Sequence, residues 1–595
     1  MFTTRPELVG TFGMVASTHW LASSAAMAVL EDGGNAFDAA VTAGFVLQVV
    51  EPHLNGPGGE VPIVFAAASD PAPRVLCGQG VAPAGATIEH YRGLGLDLIP
   101  GSGLLAATVP GAWDGWLTLL RDYGTKTLRE VLDKAIGYAR DGFPLLERAA
   151  FTISTVADLF RDHWRTSAAQ WMPGGAVPAA GARFRNTKLA DTWEWLLAAA
   201  EAAGADREAQ IEAARRAWSQ GFVAAQVDEF ARRSFRDDSG EDHAGVLTGE
   251  DMASWEASYE DALCVDFDSW TLVKPGAWTQ GPVLAQQLRL LEGFELSYVD
   301  GVPTPDTLHV AVEAAKLAFA DREAWYGDTG DVPLETLVSR EYASERRSLI
   351  GSDASQELRP GSPDGREVVL PQHVLRGPGV VPGDLAGAIG EPTVARTGAT
   401  RGDTVHVDVV DKWGNIVSAT PSGGWLQSSP TIPSLGFCLG SRAQMFWLDQ
   451  GLPNSLAPGK RPRITLSPSL ALCDGLPALA FGTPGGDQQD QWQLGFWLAH
   501  VHGGLNLQEA IDSPMWHSNA FPSSFYPRSW TPGELVVESR IGAAAMADLR
   551  SRGHKVIDAG SWSLGRMSAV ARDSRDGLLR AGANPRGAQG YAVGR

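Results

Sequence analysis

Thr404 is the residue in this sequence best placed to become a nucleophile. It lies in Gly402-Asp403-Thr404-Val405-His406-Val407-Asp408-Val409-Val410. A threonine hydroxyl is a weak nucleophile until a base stands beside it. If the Asp403–Thr404 bond is cut, Thr404 gains a free α-amine, which can act as the base for its own hydroxyl. The alternation predicts a strand opening at Thr404, with Val405, Val407 and Val409 on one face and Thr404, His406 and Asp408 on the other. The plain alternative is a β-branched residue starting an ordinary strand. Gly485-Gly486 follows the apolar run Ala478 to Phe481. Glycines let backbone N–H groups approach a developing oxyanion, so the pair is a candidate oxyanion hole, against the alternative of a simple turn. Ser422, in Pro421-Ser422-Gly423-Gly424, adds a hydroxyl that would otherwise read as a turn serine.

Other chemistries lack their residues. His500 and His502 alternate without a third ligand at zinc-site spacing. Gly101-Ser102-Gly103 lacks the third glycine of a dinucleotide loop. There is no GxSxG elbow and no Walker loop, so no cofactor and no metal are expected. Cys77, Cys264, Cys438 and Cys473 are scattered, with no CxxC pair, and read as free thiols. The 595 residues carry 48 basic and 69 acidic side chains, a formal charge of −21, which disfavours nucleic acid and anionic membranes as partners.

The motifs resemble the gamma-glutamyltransferase family of N-terminal-nucleophile hydrolases, in which a GDTxH segment marks self-cleavage just before the threonine. The resemblance extends along the chain through Glu31 to Val41 (EDGGNAFDAAV), Val50-Glu51-Pro52-His53, Gly56-Pro57-Gly58-Gly59, Val109-Pro110-Gly111, Glu313 to Arg322 (EAAKLAFADR), Gly459-Lys460-Arg461-Pro462 and Gly482-Thr483-Pro484-Gly485-Gly486. It implies a four-layer α/β sandwich, two antiparallel sheets between helical layers. It also implies a large subunit of residues 1–403 and a small catalytic subunit of 404–595 that stay associated after self-cleavage. Thr404 would be the nucleophile, Gly485 and Gly486 the oxyanion hole, and Ser422 a hydroxyl bonded near the nucleophile. A small-molecule amide is the implied partner, and a homodimer of the processed heterodimer is compatible with it.

The departures from the family pattern bear on substrate. Where the family holds the glutamyl α-carboxylate with an arginine, this chain has Gln79. Where an acidic residue holds the α-amine, it has Met445. A two-serine pair becomes Ile464 and Thr465, and an asparagine becomes Gly424. Burying an ammonium without its partner is costly. Arg442 stands in a recognition position, where its fork could grip a carboxylate. The plain alternative is a surface arginine paired with a residue such as Asp449. Substrate contacts are therefore expected from Arg442, Gln79, Gln444, Trp425 and Thr465. Gln427, Trp447, Asp487, Gln488, Gln489 and Asp490 are expected to crowd the same pocket.

Several elements must position these groups. Helices are expected over His19 to Asp32, Ala36 to Val50, Leu189 to Ala203, Glu208 to Trp218, Val283 to Leu291 and Thr307 to Tyr326, and strands over Val61 to Ala68 and Arg74 to Gly78. Residues 129–235 form an Ala-rich helical region. Residues 351–403 are crowded with Pro and Gly and read as a flexible linker. After Thr404 the turn Lys412 to Asn415 and the strand Ile416 to Thr420 follow. Then come helices over Gln491 to Val501 and from Leu507, and strands near 535 and 567–582.

The N-terminus shows no basic start followed by an apolar run, and no run of about 18 apolar residues appears, so a cytoplasmic enzyme is expected although many relatives are exported. The function expected is a self-cleaving amidohydrolase or acyltransferase. The alternatives are a glutathione or gamma-glutamyl hydrolase-transferase proper, a small-acid amidase or cephalosporin-acylase-like enzyme, and an uncleaved binding protein without catalysis.

Overall fold

The computed structural model describes residues 2–378, 404–588 and 590–595. Fourteen strands build two sheets. In chain order they are β1 (Leu8–Gly10), β2 (Gly13–Ser17), β3 (Val61–Ala67), β4 (Asp70–Gly78), β5 (Ser258–Asp261), β6 (Leu263–Phe267), β7 (Trp270–Lys274), β8 (Val407–Asp411), β9 (Ile416–Ala419), β10 (Ser469–Cys473), β11 (Leu476–Gly482), β12 (Ser568–Arg572), β13 (Leu579–Ala583) and β14 (Tyr591–Gly594). The first sheet runs β14-β2-β8-β9-β3-β4-β5 and the second β1-β13-β12-β11-β10-β7-β6. Neighbours in the first sheet are antiparallel throughout, and so are those in the second.

The sheets face each other through an apolar layer that includes Met14, Ala16, Val64, Val410, Ile416, Leu470, Ala480 and Val570. On the outer side of the first sheet, Val405, Val407 and Val409 pack with helices α1 (Trp20–Glu31) and α2 (Ala36–Val50). On the outer side of the second, Ala471, Leu479 and Phe481 pack with α3 (Pro282–Leu291), α4 (Pro305–Trp325) and α5 (Gln489–Trp497). Alternating side chains thus bury both faces of each sheet, giving a helix–sheet–sheet–helix sandwich. Among the described residues no helix is long and apolar enough to cross a membrane.

The GGNAFDAAV motif has a local physical task. Asn35 Oδ1 accepts from Phe37 N (2.9 Å) and Asp38 N (3.1 Å), and Asp38 Oδ2 accepts from Asn35 N (2.9 Å), a reciprocal cap on α2. Ala36 N donates to Asp411 Oδ2 at 2.9 Å, which docks the helix on the far end of β8. Pro282 and Pro305 each sit in the first turn of their helices, where a missing N–H leaves no bond unmade.

Two expectations change. The regular strand starts at Val407. Thr404 sits ahead of it in an isolated antiparallel bridge with Ser422, and the intervening Pro421 accepts from Val405 N at 3.1 Å but has no N–H to continue the ladder. The Pro/Gly-rich segment is anchored over 351–378: Gly361 N donates to Asp321 Oδ1 at 2.6 Å, Trp325 Nε1 donates to Gly361 O at 2.9 Å, and Arg359 pairs with Glu313 at 3.0 Å. Its composition suits short turns held by side chains as well as it suits a linker. The remainder of that expectation, with Asp403 and the scissile bond, lies outside the described residues.

Candidate active site

Three residues stand side by side across neighbouring chain segments. Thr404 bridges Ser422, and Ser422 bridges Glu60, each antiparallel. Ser422 N donates to Glu60 O at 3.0 Å and Glu60 N to Ser422 O at 2.9 Å. Residues paired this way direct side chains to the same side of the sheet. The Thr404 and Ser422 hydroxyls lie 3.3 Å apart, and Thr404 is fully buried.

Arg442, on the short helical turn Arg442–Met445, folds over this row. Its Nε donates to Glu60 Oε1 and its Nη2 to Ser422 Oγ. The guanidinium lies over the Trp425 ring, 5.1 Å from its centroid, and 5.9 Å from that of Phe525. Arg442 has no exposed surface, so the surface-arginine alternative is set aside, and its ionic partner is Glu60. Two of its three nitrogens are engaged by protein. Only Nη1 is buried without a hydrogen bond, so the fork is not open for a bidentate grip on a substrate carboxylate.

The glycine loop leaves the second sheet at the end where Thr404 enters the first. His406, on the Thr404 face, fills the space beside Gly482: a Cβ there would lie 2.3 Å from the imidazole. That ring is held by Thr420 Oγ1 at 2.9 Å and Asp408 Oδ1 at 2.9 Å, and Asp408 Oδ2 accepts from Ser568 Oγ at 2.9 Å. Gly485 and Gly486 have φ of 128° and 56°, a region that favours glycine. A Cβ on Gly485 would lie 2.3 Å from the Trp492 ring. Successive N–H groups at the start of α5 suit an anion. Gln280 Nε2 donates to Gly486 O at 3.2 Å, and Gln280 Oε1 accepts from Arg322 Nη1 at 3.1 Å. Arg322 also pairs with Asp487. Burial alone would raise the Asp487 carboxyl, but Arg322 and Ser524 hold it below its usual range. Arg322, from the EAAKLAFADR motif, therefore braces the glycine loop.

The other expected site residues divide. Gln79 Oε1 and Thr465 Oγ1 are buried without hydrogen bonds, as ligand-facing groups would be. Trp425 donates its indole N–H to Leu54 O at 2.6 Å and offers its face to Arg442. Gln444 differs from expectation. Its amide donates to Gly101 O and Ser441 Oγ, both at 3.0 Å, and accepts from Tyr526 N at 3.0 Å, so it ties loops together. Trp447 binds Glu323 and packs under Arg528. Asp490 pairs with buried Lys274 at 3.1 Å; burial pushes the carboxyl up and the ammonium down. These are supports of the pocket.

Met445, Ile464, Trp425, Phe525 and Trp278 belong to the apolar layer between the sheets, and Met445 and Ile464 stand at positions where the family pattern would hold a zwitterion. Glu60, Gln280 and the bracing part of Arg322 escaped sequence reasoning. Glu60 lies 382 positions from Arg442 in sequence, and nothing local signals that distance. The charge directly after Gly58-Gly59 was the one available sign.

His500 Nδ1 binds Leu505 O at 2.7 Å and makes no pair with His502. One cluster could offer metal ligands among the described residues, His309, Glu313 and His554. Its carboxylate is already neutralised by Lys316 and Arg359, and the two imidazoles bond each other at 2.9 Å. Those contacts make it a polar joint.

The layered sheets and the threonine between them define an N-terminal-nucleophile hydrolase. The family described as gamma-glutamyltranspeptidase matches residues 22–594, and the chain belongs to that family. The solved structure of LmbA2991HD is 58% identical, with a TM-score of 0.94 and full coverage of both chains. The glutathione hydrolase-like YwrD proenzyme of Bacillus subtilis is 29% identical over 610 residues, 99% of each chain. The cephalosporin acylase structure from Bacillus halodurans is 27% identical, with a TM-score of 0.82, covering all of this chain and 97% of the other. The protein is accordingly an amidohydrolase or acyltransferase of the N-terminal-nucleophile type.

Proposed function

We propose that the chain cleaves itself between Asp403 and Thr404, and that Thr404 then attacks an amide carbonyl. The α-amine of Thr404 takes the hydroxyl proton and passes it to the leaving nitrogen; the N–H groups of Gly485 and Gly486 stabilise the oxyanion; water resolves the acyl-enzyme. The observation that carries this reading is the Thr404–Ser422–Glu60 row, with His406, two residues on, packed against Gly482 at the start of the glycine loop. Purified protein should contain fragments beginning at Met1 and Thr404, and Thr404→Ala should remain one chain. N-terminal sequencing and a denaturing gel check this. Efficient cleavage of the Thr404→Ala chain at the same bond, without added protease, refutes it.

The acyl group is apolar rather than glutamyl. Met445 and Ile464 stand where charged or hydroxyl contacts would bind a zwitterion, inside a cluster with Trp425 and Phe525. Gln79, Thr465 and Arg442 Nη1 supply the polar contacts. The four free thiols suit a reducing cytoplasm, which cell fractionation tests. A homodimer of the processed heterodimer belongs to the same reading, and light scattering measures it.

A further inference from the structure

We propose that Thr483 is a positioning residue for the oxyanion hole: its hydroxyl clamps and polarises the peptide whose N–H belongs to Gly485. The inference deepens the reading of Gly485 and Gly486 as oxyanion donors and rests on it. Thr483 is fully buried, one residue past Gly482, the last of β11. Its Oγ1 donates to Pro484 O at 2.8 Å. A carbonyl only accepts and a hydroxyl has one proton, so the direction of this bond is fixed. The same oxygen accepts from Arg566 N at 3.2 Å, two residues ahead of β12.

Pro484 O and Gly485 N are the two ends of one peptide group. A donor on the carbonyl draws charge toward it and leaves the N–H a stronger donor, as hydrogen bonds in series strengthen one another. The series runs from Arg566 N–H through Thr483 O–H to the Pro484–Gly485 peptide, and from there to the oxyanion. The second donor is served in the same way. Gly485 O accepts from Gln488 N at 3.0 Å, and the N–H of that peptide is Gly486's. The Gly486 donor is thus backed by main chain, and the Gly485 donor by a side chain that mutation can remove.

The bond also sets direction. The pyrrolidine ring fixes φ of Pro484, so rotation about ψ alone turns the peptide that carries the Gly485 N–H. The Thr483 hydroxyl stops that rotation. The loop is hemmed on either side: a Cβ at Gly482 would lie 2.3 Å from the His406 ring, and one at Gly485 2.3 Å from the Trp492 ring. When Thr404 Oγ1 bonds to an acyl carbon, its proton passes to the α-amine and the carbonyl oxygen takes the negative charge. When the bond to the leaving group breaks, the C=O reforms and the leaving group takes the proton. The Gly485 N–H meets full charge only between these events. Weakening or turning it therefore slows bond-making without loosening the bound ground state.

The test compares Thr483→Ser, Thr483→Cys and Thr483→Val with wild type, each as the full processed chain. One probe is p-nitrophenyl butyrate, an activated ester with an apolar acyl group, followed by single-turnover release of p-nitrophenol. The other is n-butylboronic acid, an inhibitor. Thr404 Oγ1 bonds to its boron, the proton passes to the α-amine, and a tetrahedral boronate anion results. Thr483→Val should slow acylation about 5- to 50-fold with the half-saturating ester concentration held within about twofold, less than the loss of a whole donor would cost. Inhibition by the boronic acid should weaken by a similar factor. Thr483→Ser should stay within about threefold of wild type, and Thr483→Cys, a weak donor, should fall between. Ranking by size would instead place valine, the same shape as threonine, nearest wild type, and that order overturns the proposal. A raised half-saturating concentration with unchanged acylation also overturns it, because Thr483 would then be a substrate contact. If circular dichroism shows that Thr483→Val does not fold, Ser and Cys decide, since they are alike in size, and equal rates refute the hydroxyl's role. If wild type stays one chain, or mass spectrometry finds no butyryl group on Thr404, the nucleophile reading itself fails and this proposal falls with it.

Discussion

The glycine loop leaves no room for a methyl group at Gly485. Gly485→Ala would drive its Cβ into the Trp492 ring and force a non-glycine residue to φ 128°. Amide turnover should fall about 10²- to 10³-fold, the usual effect of losing an oxyanion donor. Single-turnover kinetics of the processed variant give the measurement, and a fall below tenfold would remove the loop from the mechanism. Substrate choice belongs to this scale too. With Gln79, Met445 and Ile464 in place of zwitterion contacts, gamma-glutamyl-p-nitroanilide should turn over at least about 10²-fold less well than in a typical family enzyme, since a lost buried charge partner costs roughly 2–5 kcal/mol. A kcat/KM of about 10⁴ M⁻¹s⁻¹ or more would contradict it. Thr404, Ser422 and the glycines could be singled out because their types and neighbours are distinctive, and the structure pairs the first two and gives the glycines positive φ. The task of Arg442 was not, because the sign of a charge says nothing of which distant carboxylate meets it.

At the scale of elements, helix ends were the best-read features. Ala36–Val50 was foreseen residue for residue, since Asn35 and Asp38 announce its cap. The outline of Pro282–Leu291 followed from its proline. Pairing across the sandwich was not readable: β8 lies between β2 and β9, nearly four hundred residues from the former, and periodicity carries no address. Over residues 351–378 the Pro/Gly composition misled because turn-forming residues are shared by loose and fastened chain. Glu51, which caps the C-terminus of α2, adds a testable consequence. Burial pushes its carboxyl up from 4.5 to about 7, against the opposing pulls of Thr18, Arg566 and Arg148. A raised carboxyl stabilises the fold fully below its unfolded pKa, and that contribution is lost as pH climbs through about 7. At about 1.4 kcal/mol per pKa unit the change approaches roughly 3 kcal/mol. Glu51→Gln keeps an acceptor for Thr18 without the charge. Its melting temperature should exceed that of wild type at pH 8.5 and match it near pH 5, by differential scanning fluorimetry. An equal offset at both pH values would assign the effect to packing.

Across the whole molecule, residues before and after position 404 are woven through both sheets. In the first, β2 lies between β14 and β8; in the second, β1 and β7 flank a block of β13, β12, β11 and β10. Arg595 O accepts from Thr11 N and Phe12 N, so Arg595 seals against the turn between β1 and β2. Neither proposed subunit therefore owns a sheet. The proposed cut at residue 404 would turn a folding problem of first order in concentration into one of second order. The intact Thr404→Ala chain, unfolded in denaturant and diluted, should regain its fold at a rate and yield independent of concentration. The processed enzyme should recover more slowly at each tenfold dilution, since its two pieces must first meet. On that proposal the native state of the processed enzyme would be one that its own pieces reach poorly from solution. Its working life would then be set by how seldom it opens, a rate, and hardly at all by how well it could close again.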